Sequence, residues 1–201
     1  MNVSHNFKAT MLGLLLAFSA KTAVADDFDG SIVDRLIAVD GAQALVAAVL
    51  VVDESMVLDF SLAGALSTID DLVLLAPTNS AFEALLGLEP GFLDGLSVDE
   101  VKAALPSVLE GLGLTVSDVI NILLLHVGLV EGVDESTAGA EVLLGNGGVG
   151  VAGSSEPLPV SLGSKGVRIN YEANVIKADD FTDNGVIHYI DTVLVGDLLA
   201  Q

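Results

Sequence analysis

Few residues in this sequence could catalyse a reaction. Nucleophilic catalysis pairs a serine, threonine or cysteine with a histidine base, and the chain has no cysteine and three histidines. His126 and His188 lie in the apolar runs ILLLHVGLV and GVIHYID, and no G-x-S-x-G motif accompanies them. Such placement is typical of a core histidine with one hydrogen-bond partner. We therefore expect no enzyme and no catalytic residue, and we interpret both histidines as structural.

A group of hard oxygen ligands in the segment ADDFTDNG could bind calcium. Asp179, Asp180, Asp183 and Asn184 fall within six residues, but their spacing is not that of an EF-hand loop and no glutamate closes it. A solvated turn is the preferred interpretation, and no metal site is predicted. Asp179, Asp180 and Phe181 are then candidate interaction residues on an exposed turn.

The segment GNGGVG (145–150) matches the G-x-G-x-x-G pattern of dinucleotide sites. That motif requires a strand before it and a helix N-terminus after it. Here VAGSSEPLPV follows, which is unsuited to start a helix. The segment is interpreted as a glycine-rich hairpin, and no cofactor is predicted.

The elements that position these residues divide the chain into two parts. Four [ST]-x-x-[DE] boxes predict helix starts in the front half, namely Ser31/Asp34, Ser80/Glu83, Ser97/Glu100 and Thr115/Asp118. Pro106 is predicted to end or bend the helix that begins at Val98. From about Glu131 onward, β-branched runs between Gly, Ser, Pro and Asn predict strands, with a hairpin at Asn184-Gly185. Helices followed by strands, with LVLLA as an early strand, indicate an α+β fold.

The formal net charge of −21 excludes nucleic-acid binding, because nucleic acid attracts clustered Lys and Arg. A solvated acidic surface is the simplest interpretation. Cation binding or a basic partner is the alternative. With 52% hydrophobic residues, the chain can also build a core without disulfides, and a wedge between helices and sheet could hold an apolar small molecule.

Residues 1–25 have the organisation of a secretory signal peptide. Lys8 precedes the apolar run ATMLGLLLAFSA, and Ala23-Val24-Ala25 fits a signal-peptidase site. The run is well short of the ~20 residues that a membrane-spanning helix needs. We expect cleavage before Asp26 and a secreted or periplasmic protein that does not insert into the membrane.

Three segments, in order, resemble the fasciclin (FAS1) domain family. LLAPTNSAF (74–82) resembles its first conserved box, LLLHVGLVEG (123–132) its central Tyr-His segment, and NGVIHYIDTVL (184–194) its second conserved box. The resemblance assigns 31–196 to the domain. It leaves 26–30 as a short leading segment and 197–201 as a tail.

The resemblance implies a wedge of two β-sheets with a helical layer packed at one side. In that arrangement Pro77 stops a core strand, Thr78, Asn79 or Ser80 caps the next helix, and Phe82 fills the core. Asn79 is expected to bind local backbone and to hold the turn shut.

The resemblance also implies a non-enzymatic adhesion or interaction module, of the kind found in extracellular matrix, with a surface protein or polysaccharide as partner. His126 lies in the central segment and is a candidate contact residue. The family's Asp-Ile pair is Asp179-Asp180 here, and its tyrosine is Leu125, which argues against recognition of the integrin type. The alternative function is a soluble carrier of an apolar ligand, a carotenoid or lipid, on the same fold.

Overall fold

The computed structural model describes residues 28–134 and 137–196. The predicted signal peptide (1–25) and the predicted tail (197–201) lie outside the described residues, as does the start of the predicted leading segment (26–30).

The described end of the leading segment packs against the domain. Phe28 forms an isolated parallel bridge with Thr182, and its amide donates to the Phe181 carbonyl at 3.1 Å. The Arg35 guanidinium lies 5.0 Å from the centre of the Phe28 ring. The segment therefore adds a short strand-like contact beside the sheet.

Seven helices and seven strands are described, with a 3₁₀ turn at Leu93–Gly95. The helices are α1 (Ile32–Ala38), α2 (Gln43–Ser55), α3 (Leu62–Thr68), α4 (Asn79–Leu86), α5 (Val98–Gly111), α6 (Val116–Leu124) and α7 (Ala140–Asn146). The strands are β1 (Leu72–Pro77), β2 (Val127–Leu129), β3 (Gly148–Val149), β4 (Leu158–Gly163), β5 (Gly166–Ile169), β6 (Ala173–Thr182) and β7 (Gly185–Ile190).

Three of the four predicted capping boxes form as expected. In each, the side-chain hydroxyl accepts a bond from the main-chain amide three residues on, and the carboxylate accepts from the capping residue's own amide. These are Ser31 with Asp34, Ser97 with Glu100, and Thr115 with Asp118. The hydrogen bonds from each hydroxyl and amide also lower the pKa of the three carboxyls. Local sequence thus determines where α1, α5 and α6 begin.

The fourth predicted box does not form. Helix α4 begins at Asn79 with Thr78 as its N-cap, and no side chain of the cap bonds to the helix. The buried carboxylate of Glu83 instead accepts from the amides of Gly91 and Leu93, each at 2.8 Å. Glu83 therefore binds the start of the following 3₁₀ turn instead of capping its own helix.

Pro106 was predicted to end or bend its helix, and of these two alternatives the first is wrong. Helix α5 continues through Pro106 to Gly111. None of the helices that the structure describes is long and apolar enough to cross a membrane by itself, and α5 with α6 reaches that length and apolarity only across a bend of 107°.

The strands lie in the order β2-β1-β7-β6-β5-β4-β3. Strand β1 pairs parallel with β7 and antiparallel with β2, and the other neighbours are antiparallel. An isolated bridge joins Gly128 in β2 to Val151 just after β3, so the two ends of the sheet meet. Gly128 permits this closure, because a Cβ there would lie 2.6 Å from the Gly150 carbonyl oxygen. The sheet is therefore nearly closed on itself.

Two cores lie on opposite faces of β1 and β7. On one face, Leu72 and Leu74 pack with Ile187 and the helices α1 to α6. On the other, Val73, Leu75, Val186 and Ile190 pack with residues of β3, β4, β5 and α7. All residues of β1 and β7 are buried, as expected for strands covered on both faces. The α+β wedge with a helical layer at one side, predicted from the resemblance, is confirmed.

The back half holds one element that the sequence did not predict. The start of the glycine-rich segment GNGGVG belongs to helix α7, and left-handed Gly147 (φ 73°) ends that helix before β3. The hairpin interpretation of this segment is therefore wrong. The predicted hairpin at Asn184-Gly185 does form, and Thr182 pairs with Gly185 across it. Gly185 must lack a side chain, since a Cβ would lie 2.3 Å from the Leu72 carbonyl oxygen.

Candidate functional site

The sequence predicted that Asn79 closes its own turn. In the structure its side chain instead binds the start of another helix. Its side-chain oxygen accepts from the Ala44 amide at 3.1 Å, and its side-chain nitrogen donates to Gln43 Oε1 at 2.8 Å and Asp94 Oδ1 at 3.1 Å. Its main-chain amide donates to the Gly41 carbonyl at 2.7 Å. Asn79 therefore caps helix α2, which begins beside it.

The remote cap has a simple cause. Helix α2 starts after Ala42, which has no side-chain acceptor for the free amides of the first turn. Asn184 acts in the same way, since its oxygen accepts from Ile32 at the start of α1 and its nitrogen donates to the Leu66 and Ile69 carbonyls at the end of α3. Both buried asparagines thus join elements far apart in sequence.

Pro77 and Phe82 lie where the resemblance placed them. Pro77 is the last residue of β1 and pairs with Ile190. The ring of Phe82 is buried in the core beneath the helices. With Thr78 as the α4 N-cap, the joint is a structural corner between strand and helix.

His126, a candidate contact residue, is only 1% exposed. Its Nδ1 lies 2.7 Å from the Ile122 carbonyl oxygen, and its Nε2 accepts from the Leu194 amide at 3.0 Å. These partners require a neutral ring with its proton on Nδ1. Burial lowers the pKa of His126 to about 4. The ring joins the end of α6 to the residues after β7 and offers no surface to a partner.

His188 is buried in β7 and holds the segment before α7. Its Nδ1 accepts from the Asp179 amide at 3.2 Å, which leaves its proton on Nε2, 3.0 Å from the Ala138 carbonyl oxygen. Burial lowers the pKa of His188 despite the nearby Asp179 carboxylate. That carboxylate accepts from the Ala140 amide at 2.9 Å and so caps α7. The structural interpretation of His188 is supported by both contacts.

Asp180 is the most enclosed charge of the segment. Its carboxylate, 1% exposed, accepts from Arg35 at 3.0 Å, from Lys177 at 2.7 Å and from the Tyr189 hydroxyl at 3.0 Å. Burial alone would raise the pKa of Asp180, but the hydrogen bonds from these three groups outweigh it and lower the pKa. Burial and the Asp180 charge raise the pKa of Tyr189.

The expectation that Asp179, Asp180 and Phe181 form an exposed turn is wrong. All three lie in strand β6, at a register shift where Asp179 adopts a left-handed conformation (φ 60°). Asp180 is buried where it forms its ion pairs. Phe181 packs against the core that lies between β1, β7, β3 to β5 and α7. Only Asp179 keeps substantial side-chain exposure, at 41%.

The carboxylates of this segment do not converge on one point. Asp179 binds the start of α7, Asp180 binds Arg35, and the Asn184 oxygen binds the start of α1. Among the described residues, no group of three or more His, Asp or Glu side chains is arranged to hold a metal ion. The calcium alternative therefore has no geometric support in this segment.

An apolar groove that no sequence pattern predicted lies at one end of the helical layer. It has a volume of about 380 Å³ between the end of α2, the end of α5 and the start of α6. We call it the α5–α6 groove. Its principal lining residues are Val51, Pro106, Leu109, Glu110, Leu114 and Val116.

A loop with exposed apolar side chains begins at the rim of the groove. Ser55, the last residue of α2, lines the groove. The next residues, 56–60, form what we call the Met56 loop, in which Met56 is 85% exposed, Val57 54% and Phe60 55%. Exposed apolar side chains that occur together mark interaction surfaces more often than isolated ones.

The Met56 loop is held at both ends by one carboxylate. Asp53 accepts from the amides of Leu62 and Ala63, at 2.6 and 3.2 Å, and from the Ser61 hydroxyl at 2.6 Å. These bonds cap α3 from the end of α2. The residues before and after the loop are thereby joined to each other.

Comparison with known proteins identifies the family. The family model for the fasciclin domain matches residues 54–196. The chain belongs to the fasciclin-domain family. In sequence, no curated protein matches it. In structure, it is similar to the FAS1 domain pair of fasciclin I, an insect cell adhesion molecule, with a TM-score of 0.57 and 12% identity. The match covers 84% of this chain and 52% of that one, so the chain spans about half of the domain pair.

The two fasciclin boxes are neighbours in the sheet. The first box contains β1 and the second contains β7, and the parallel register places Leu75 opposite His188 and Pro77 opposite Ile190. The central segment adds His126, whose carbonyl accepts from the Leu75 amide at 2.9 Å. The three segments that resemble the family's motifs thus meet in the core of this fasciclin domain, while the α5–α6 groove lies outside all three.

Proposed function

We propose that this fasciclin domain is a non-enzymatic interaction module that acts in adhesion outside the cytoplasm. The observation that carries the proposal is the family match over residues 54–196. The similar solved structure comes from a cell adhesion molecule, which favours the same role. A surface protein or a polysaccharide is the partner class that fits such a module.

The internal use of the titratable side chains supports a role without catalysis. His126 and His188 each bond through both ring nitrogens to the main chain. Asp180 is enclosed by three donors. A general base needs a free acceptor within reach of a substrate proton, and these three groups direct their acceptors to structural partners.

The proposal includes export. The pattern of residues 1–25 favours cleavage after Ala25. Intact-mass analysis of the protein from its native source tests this step. A chain that begins at Asp26 supports export, whereas a chain that retains residues 1–25 contradicts it.

Adhesion is tested directly with surfaces coated with the purified protein. Attachment of cells from the source organism, and of beads that carry its extracellular polysaccharide, is counted against surfaces coated with heat-unfolded protein. Attachment that depends on the folded domain supports the proposal. Equal attachment to folded and unfolded coats contradicts it.

The α5–α6 groove favours a second candidate function, a carrier of an apolar ligand such as a carotenoid or lipid. The groove is apolar and its volume of about 380 Å³ is within the range of small-molecule sites. Native mass spectrometry with an absorbance spectrum distinguishes the two functions. A mass excess with a lipid or pigment signature supports the carrier, and a clean apo mass supports the interaction module.

A further inference from the structure

The helical layer combines an apolar surface with a one-sided charge. Residues 43–124 contain twelve carboxylate side chains and a single cation, Lys102. The carboxylates belong to Asp53, Glu54, Asp59, Asp70, Asp71, Glu83, Glu89, Asp94, Asp99, Glu100, Glu110 and Asp118. Lys102 is itself engaged by Glu54 at 2.7 Å. The segment that contains α2 to α6 therefore carries a large excess of negative charge, although Glu83 is buried.

Two of these carboxylates stand beside the apolar surface. Glu110 is exposed and lines the α5–α6 groove. Asp59 is exposed within the Met56 loop, between Val57 and Phe60. Lys102, the one cation of residues 43–124, is bound to Glu54 at 2.7 Å rather than to either of these carboxylates. The apolar surface is thus bordered by charge of one sign.

We propose that the α5–α6 groove and the Met56 loop form a docking site for a cationic amphipathic segment of a partner protein. Apolar side chains of the segment enter the groove between α5 and α6, and Met56, Val57 and Phe60 cover them from the rim. Lysine or arginine side chains of the segment face Glu110 and Asp59. This inference rests on the proposed interaction function and names its surface and partner class.

Charge complementarity selects this occupant over the others that an apolar groove could accept. A second copy of the chain would also be strongly acidic, since the net charge of the whole chain is −21, and like charges that face each other across an interface are unfavourable. Anionic membranes are repelled for the same reason. A segment with an apolar face and basic flanks satisfies both features of the surface, in the way that amphipathic helices bind hydrophobic grooves.

The test uses a fluorescent amphipathic peptide of leucine and lysine, and a peptide of the same composition in scrambled order. Binding to the purified protein is followed by fluorescence anisotropy at low salt. We expect the amphipathic peptide to bind at least about tenfold more tightly than the scrambled one, because only the first aligns apolar and basic faces.

A matched pair of charge variants locates the binding. Glu110→Lys and Glu141→Lys change the net charge equally, and both side chains are exposed. Glu141, however, belongs to α7, a helix that contacts β3, β4 and β5. We expect Glu110→Lys to weaken peptide binding by about tenfold and Glu141→Lys by less than about twofold. Equal weakening by both variants would mean diffuse attraction and would overturn the proposal.

A second pair tests the apolar contribution. Met56→Ser removes the most exposed side chain of the loop, and Leu162→Ser removes a comparably exposed one from β4 (85% and 73% exposed). Because neither side chain is buried, both variants are expected to fold. Binding must fall with Met56→Ser and persist with Leu162→Ser. Equal binding by the two variants contradicts the proposal.

Failure of this inference is distinguishable from failure of the proposed function. If coated surfaces still retain cells and Glu110→Lys retains them equally, adhesion stands and the docking site is wrong. If a zwitterionic phosphatidylcholine vesicle, with no net charge, binds at the groove and the peptide does not, the carrier function replaces the docking site. If neither the peptide nor the vesicle binds, the groove has no such role.

Discussion

The side-chain oxygen of Asn79 accepts a hydrogen bond from the main-chain amide of Ala44, 35 residues earlier and at the start of another helix. The strand-to-helix joint after β1 thereby fixes the start of α2. Since most residues of α2 are buried, this side-chain amide is one of the links between the sheet and the helical layer. The joint is therefore a fixed connection between the two halves of the fold.

Asn79→Ala is expected to lower the free energy of unfolding by about 2–3 kcal/mol. The substitution removes the cap of α2 and leaves the Gln43 and Asp94 oxygens without the donor they now share. Urea denaturation measures the effect. Asn146→Ala is the control, because Asn146 is exposed in the last turn of α7, and it should change the free energy by less than about 0.5 kcal/mol.

The sequence predicted the local caps and missed the remote ones for a physical reason. A capping box such as Ser31/Asp34 is formed by residues three apart, so any helix start with that pattern can form it. The bond between Asn79 and Ala44 exists only after α2 has packed against β1. At α4 the N-cap is Thr78, so Glu83 lies two residues beyond the position that a capping box needs, and its carboxylate accepts from the Gly91 and Leu93 amides instead. Tertiary packing thus overrode a correct local pattern at α4.

The candidate site residues likewise divide into those that the sequence could predict and those that it could not. The boxes around Pro77, His126 and His188 could be recognised because each is a continuous segment. The pair Asp179-Asp180 indicated a turn, since adjacent carboxylates are most often solvated. Asp180 is instead enclosed by Lys177, by Tyr189 and by Arg35, which is 145 residues away in sequence. The α5–α6 groove gave no signal, because its walls come from three helices whose apolar faces are otherwise ordinary core.

Asp180→Asn is expected to lower the free energy of unfolding by roughly 3 kcal/mol. The amide group keeps one acceptor but places a donor against the donors of Arg35, Lys177 and Tyr189. Chemical denaturation of the purified variant measures the loss.

Asp179→Asn is the matched control for this prediction. The asparagine oxygen can still accept from the Ala140 amide, and asparagine tolerates the left-handed conformation at this position. The loss should therefore stay below about 1 kcal/mol. Equal losses for the two variants would show that the ion pairs of Asp180 contribute nothing beyond burial.

His126 makes stability depend on pH in a defined window. Its pKa is about 4 in the folded protein and 6.5 in an unfolded chain. Below pH 6.5 the His126 ring of the unfolded chain is therefore protonated, whereas the ring in the folded protein stays neutral down to about pH 4. The contribution of His126 to the free energy of unfolding is therefore largest above pH 6.5. It decreases by roughly 3 kcal/mol in total as the pH falls to 4.

The effect is isolated by comparing the wild type with His126→Gln. The acidic net charge also changes across this window, but it changes equally in both proteins and cancels in the difference. The stability advantage of the wild type over the variant should shrink steadily from pH 7 to pH 4. A constant difference would mean that the pKa of His126 is the same in the folded and unfolded protein, which contradicts the burial and the two hydrogen bonds that favour a neutral ring.

The net charge of −21 predicts that salt stabilises the fold. Repulsion among carboxylates opposes the compact state, and salt screens it. The melting temperature should rise between about 0.02 M and 1 M NaCl, where the screening length falls from roughly 20 Å to 3 Å. The Glu110→Lys, Glu141→Lys double variant, with less charge, should show a smaller rise.

MgCl₂ at equal ionic strength separates screening from specific binding: an equal rise indicates a diffuse solvated surface, and a larger one indicates that carboxylates bind the cation directly. A melting temperature that falls with salt would contradict the prediction, since attractive pairs such as Arg35 with Asp180 would then outweigh the repulsion.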